Sequence, residues 1–157
     1  LTGGSIEITL LQPPDTIKAK ELGFKPMVNL AQSGIKFPMN HNSTSGRYLK
    51  TNRDKVKKFM MGYISGLARL KSDREFAIKV LGKYLRTTDR TILNETYDFW
   101  SGLYPSKPYV EREEVENYLA TLKDRGGAKA EDFFDNSIVA ELDREGFINA
   151  AYKRYQK

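Results

Sequence analysis

The feature that most constrains this chain is a change of hydrophobic period partway along it. Residues 53–71 carry Val56, Met60, Tyr63, Leu67 and Leu70 at intervals of four, three, four and three. That spacing lines one face of a helix. Near the start the period is two instead. Ile6, Ile8 and Leu10 alternate with Ser5, Glu7 and Thr9, and Leu11 follows. Such alternation reads as a strand with one face more buried than the other. The expected fold is therefore helix-rich with a small number of strands confined to the first third: part of a larger α/β protein, or else a complete α+β domain with a small sheet under a helical bundle.

The stretch between the two patterns is punctuated clearly. Gln12-Pro13-Pro14-Asp15 stops the strand, and Pro14 suits the first turn of a helix, where a missing N–H costs nothing. The spacing predicts a short helix through Ile17, Ala19 and Leu22 that ends at Gly23. Phe24–Leu30 reads as a second strand, with Pro26 tolerable only near its start or on an edge. Residues 31–52 read as a polar loop with an extended piece around Asn42–Leu49. Helices fill the rest. Asp73 caps one bearing Phe76, Ala77, Val80, Leu81 and Tyr84, and Thr88 or Asp89 caps one bearing Ile92, Leu93, Tyr97 and Trp100. After YPSKPY come Glu111–Lys123, a Gly126-Gly127 loop, a helix capped by Asn136 that closes at Gly146, and a final helix from Phe147 to Tyr155.

Composition excludes several classes of function. With no cysteine there is no disulfide framework, thiolate metal site or cysteine nucleophile. The net charge is +6, but basic and acidic residues are interleaved, as in KSDREFAIK. The densest basic cluster is Lys50, Arg53, Lys55, Lys57 and Lys58, which reads as a solvated helix face. A nucleic-acid footprint would need a continuous basic face with stacking aromatics, so no nucleic-acid partner is expected. No apolar run reaches the roughly 18–20 residues of a membrane span. There is no G-x-S-x-G, no phosphate-binding loop and no dinucleotide fingerprint. Paired acids such as Glu113-Glu114 read as solvated, and the one histidine, His41, has no second ligand at metal spacing.

The order of these pieces resembles a known family. LLQPPDTIKAKELGFK is followed by MVNLAQ, then by TNRDKVKKFMMGYISGLARL with Asn52, Val56, Phe59 and Leu67, and near the end by Leu142, Gly146, Phe147 and Ile148. In this order the chain resembles the C-terminal half of ABC-transporter substrate-binding proteins of the nitrate, sulfonate, taurine and thiamine-precursor type. The resemblance implies the C-terminal part of a type II periplasmic-binding fold. Residues 1–35 would end the second lobe, 36–50 would be the return crossover and hinge, and 51–157 would be helices packing on the first lobe. It also implies a periplasmic or extracytoplasmic protein that captures a small polar or anionic organic molecule between two lobes. The partners would be an ABC permease in the membrane and a missing N-terminal half of the same protein. Neither catalysis nor a cofactor or metal is expected.

Ligands of open α/β sheets sit beyond the carboxyl ends of strands. On that reading Gln12, Pro13 and Asp15 are candidate ligand contacts. His41, Asn42, Ser43 and Thr44, next to Asn40, form a polar run that could line a cleft near the crossover. Each also has a plain reading, as a helix start or as turn residues. Tyr97, Phe99 and Trp100 have the spacing of a core face, whereas Tyr104 and Tyr109, flanking PSKP, are the more exposed aromatic candidates. Two other functions fit the pattern. One is a helical protein-interaction module, which would expose a large apolar patch. The other is an enzyme like the thiamine-precursor synthases of the same superfamily, which would depend on His41 but lacks their cysteine-containing motif.

Overall fold

Helical periodicity is realised almost where the sequence sets it. A computed structural model describes residues 1–38 and 40–156. Its helices are α1 (Asp15–Glu21), α2 (Gly46–Thr51), α3 (Arg53–Ser72), α4 (Arg74–Leu85), α5 (Arg90–Leu103), α6 (Arg112–Ala120), α7 (Ser137–Arg144) and α8 (Phe147–Tyr155). Single 3-10 turns lie at Leu30–Gln32 and Ala130–Asp132. The caps carry local reasons for these boundaries. The Asp73 carboxylate accepts from the Phe76 N–H at 3.1 Å, and Asp89 accepts from Thr91 and Ile92 at 2.8 and 3.1 Å. Each cap satisfies N–H groups that the first turn leaves without intrahelical partners. Gly146, at φ +75°, turns α7 into α8 in a conformation that costs glycine little.

The apolar stripe of α3 nucleates the main core. Ile64 and Ala68 pack with Ile138, Val139 and Leu142 of α7 and with Ile148 and Ala151 of α8. Leu49, Val56, Met60 and Tyr63 extend it. A second cluster closes the α4–α5 hairpin around Ala77, Ile78, Leu93 and Tyr97, with Leu70 reaching in from α3. A third joins Val115 and Leu119 of α6 to Ala130. Charge reinforces the first contact. Lys57 donates to Glu141 at 2.6 Å and to Glu145 at 2.7 Å, and Arg53 donates to Glu141 at 2.9 Å. Arg53 and Lys57 of the basic cluster are thus committed to α7.

The α/β expectation is overturned. No strand forms among the described residues, so there is no sheet and no pair of α/β lobes of the type II periplasmic-binding kind. The alternation of Ile6, Ile8 and Leu10 survives only as sequence. Ile8 is 70 % and Leu10 77 % exposed. A single extended segment leaves its backbone groups unpaired and its apolar side wet, and even two strands alone are marginal in water. Phe24–Leu30 fails for the same reason and runs into the 3-10 turn that Asn29 caps by accepting from Ala31. The extended piece expected at Asn42–Leu49 is a short irregular run into α2, where Ser45 accepts from the Tyr48 N–H at 3.1 Å. Asn136 holds the N-cap position of α7, but its side chain makes no cap hydrogen bond. Its side chain instead pairs with Val110, accepting from the N–H and donating to the carbonyl, both at 2.9 Å. Asp135 takes the capping role by accepting from the Ser137 N–H.

Candidate functional site

Helix α3 presents Tyr63 from its middle, half-buried, on the side facing the end of α5. Tyr104 follows the last residue of α5, and its N–H donates to the Trp100 carbonyl at 3.1 Å. The Trp100 ring stacks on Tyr104, with centroids 5.8 Å apart and planes 26° from parallel. Lys71, in the last turn of α3, donates to the carbonyls of Ser101 and Tyr104 at 2.6 and 2.7 Å. An ammonium at a helix C-terminus is favoured by the unpaired carbonyls and the helix dipole. The Tyr104 backbone is thereby tied to the same helix that carries Tyr63.

The third wall comes from the loop. Lys36 pairs with Glu111 at 2.6 Å and Glu113 at 3.1 Å, and Asn117 donates to the Lys36 carbonyl at 2.7 Å. Phe37 meets Tyr118 edge-on at 5.9 Å. Helix α6 thus holds the loop, and the His41 Nε2 lies 3.4 Å from Glu114. Asn40 donates to the Tyr104 hydroxyl at 3.4 Å. Asn40, His41, Asn42, Tyr63 and Tyr104 together line a hollow of about 230 Å³. Burial, with the nearby phenols of Tyr104 and Tyr152 adding to it, raises the Tyr63 phenol above its usual range. It stays a neutral donor and acceptor through the physiological range.

Among the residues nominated from sequence, His41 and Asn42 meet here. Ser43 and Thr44 are exposed on the run into α2 and do not line the hollow. Gln12, Pro13 and Asp15 lie at the start of α1, with Gln12 and Asp15 exposed. The Gln12 carbonyl accepts from the N–H groups of Asp15 and Thr16, so it closes the first turn of that helix. Tyr104 was legible as an exposed aromatic beside PSKP. Tyr63 was not, because its spacing matches the core stripe of α3. The one signal available was a hydroxyl in an apolar stripe, which needs a partner or water. A larger hollow of about 510 Å³ is walled only by residues between Leu119 and Gly127. It is the inside of one loop, with no second element converging on it. Comparison of the chain with protein-family models, curated proteins and solved structures finds no match.

Proposed function

We propose that this chain binds a small polar organic molecule at the hollow between residues 40–42, Tyr63 and Tyr104. We read it as the solute-binding component of an ABC import system, acting outside the cytoplasmic membrane and catalysing no reaction. One observation carries the binding reading: a polar loop nominated by sequence meets two half-buried tyrosines of the helical body around one cavity. Two amides, an imidazole and two phenols offer both donors and acceptors. Concave sites with a few convergent polar groups are where small ligands bind. Delivery to a membrane permease is supported by the order of sequence motifs, not by a two-lobed cleft.

A thermal-shift panel of sulfonates, nitrate, carboxylates, amino acids and pyrimidines tests this. A ligand at one hundred times its Kd adds about 2.7 kcal/mol to a folded state. For a chain of this size that is a rise of about 5–10 °C. The rise should vanish in Tyr104→Ala. A flat panel with a cooperative transition would sink the proposal.

A second reading, the interaction module, has its own observation. Ile6, Ile8, Leu10, Met27, Val28 and Ile35 are all more than half exposed along the N-terminal arm. Contiguous exposed apolar surface marks partner sites. Retained monomer behaviour at high concentration, with no uptake of an apolar dye, would remove that support.

A further inference from the structure

The lining of the hollow says more about its occupant than polarity alone. This inference rests on the binding reading above. Among the described residues, no lysine or arginine lines the cavity. The basic residues attached to its walls are already bonded. Lys71 is spent on the Ser101 and Tyr104 carbonyls, and Lys36 on Glu111 and Glu113. Two formal charges touch lining residues: the Lys71 ammonium, 2.7 Å from the Tyr104 carbonyl, and the Glu114 carboxylate, 3.4 Å from His41 and itself only 25 % exposed. An anion entering here would lose part of its hydration, find the one adjoining ammonium already bound to two carbonyls, and face a carboxylate behind the imidazole. Transferring an unpaired charge out of water is heavily penalised, whereas a neutral polar group needs only hydrogen bonds.

Shape narrows the class further. Two of the five lining side chains are phenol rings, and the Tyr104 plane is fixed by the stacked Trp100. The amides of Asn40 and Asn42 each supply a donor and an acceptor. Flat aromatic walls with amide edges match a flat ring carrying amide-like donors and acceptors. We infer that the ligand is an uncharged, planar, hydrogen-bonding heterocycle, and that organic anions of the same size are discriminated against. About 230 Å³ suits a single ring with small substituents.

Nicotinamide and nicotinate make a matched pair, nearly identical in shape and differing in charge. Uracil and cytosine extend the neutral arm, and methanesulfonate and nitrate extend the anionic arm. The full chain is titrated with each by thermal shift and by fluorescence of Trp100. Neutral rings are expected to bind at least about tenfold more tightly than their anionic counterparts, and Asn42→Lys should reverse the order for the matched pair. Asn42 is exposed, so this variant should fold. Equal or tighter binding of the anions would overturn the inference while leaving the binding proposal standing. No shift with either arm would overturn both. Binding of neutral rings that both Asn42→Lys and Tyr104→Phe leave unchanged would also overturn it, because the ligand would then sit elsewhere.

Discussion

At the scale of single residues, two positions make measurable demands. Arg86 follows α4 in the left-handed region, at φ +53°. That conformation costs a residue with a Cβ roughly 1–2 kcal/mol, and glycine escapes it at some cost in unfolded-state entropy. Arg86→Gly should therefore stabilise the fold by up to about 1 kcal/mol, read as a higher denaturant midpoint with unchanged slope. Glu141 makes the second demand. Its carboxyl is held below the ordinary 4.5 chiefly by the hydrogen bond from Lys57, then by that from Arg53. A carboxylate whose folded value is depressed contributes stability above its unfolded value. That contribution is lost as pH falls through the folded value. The partner ammonium of Lys57 is raised above 10.5, so its contribution is full below that pH and lost above it. Asp98 and Asp143 are likewise held low, by hydrogen bonds from Arg74 and Lys107. Stability should be flat between about pH 5 and 10 with respect to these groups and fall below pH 4.5. Glu141→Gln should shrink that acid fall, and thermal midpoints between pH 3 and 7 measure it. Arg74–Asp98 is exposed, so salt should weaken it most, and the partly buried Lys57–Glu141 and Lys107–Asp143 pairs less.

At the scale of elements, the helices from residue 53 onward were legible because their stripes are long and their caps are strong. The spacing through Val56, Met60, Tyr63, Leu67 and Leu70 set α3 to within a residue of its end, and Asp73 and Asp89 cap the next two helices. What the sequence could not show is how helix ends are fastened to each other. Asn136 sits at the cap of α7, but its side chain serves as a strap on Val110, a partner 26 residues away. Lys71 looks like one more surface cation, yet it fastens the end of α5 to α3. The chain has one tryptophan, Trp100, stacked on Tyr104 beside that bond. Lys71→Met should therefore redden Trp100 emission and raise its quenching by acrylamide while far-UV circular dichroism is kept. Lys71→Arg should restore most of the native signal. Unchanged emission in a folded Lys71→Met protein would remove Lys71 from the account of how Tyr104 is held.

At the scale of the whole molecule, stability is concentrated where α3, α7 and α8 meet. Leu142 is fully buried there. Leu142→Ala should cost about 2–5 kcal/mol, the range for emptying a leucine-sized space in a core that relaxes only partly. An equal truncation at Leu10, 77 % exposed, should cost far less. The same contrast explains why the fold class was misread. Period-two alternation reports how a strand would bury its side chains if a neighbour existed. It does not report whether the neighbour is there. Residues 5–11 carry the pattern without a strand partner among the described residues, and the arm stays irregular. The site was half legible for a related reason. Asn42 and His41 announced themselves as a polar run, but the surface they face is made by α3 and α5, elements joined to them only through tertiary packing.

The binding claim ties these scales together, and a site-resolved titration tests it most directly. Two-dimensional 15N–1H spectra would be recorded on the full chain with increasing nicotinamide and, in parallel, nicotinate. Saturable shifts are expected in the side-chain amides of Asn40 and Asn42, the backbone of Tyr63 and Tyr104 and the Trp100 indole, at lower concentration for the neutral compound. Shifts confined to the N-terminal arm, or none at saturating nicotinamide and uracil, would contradict it.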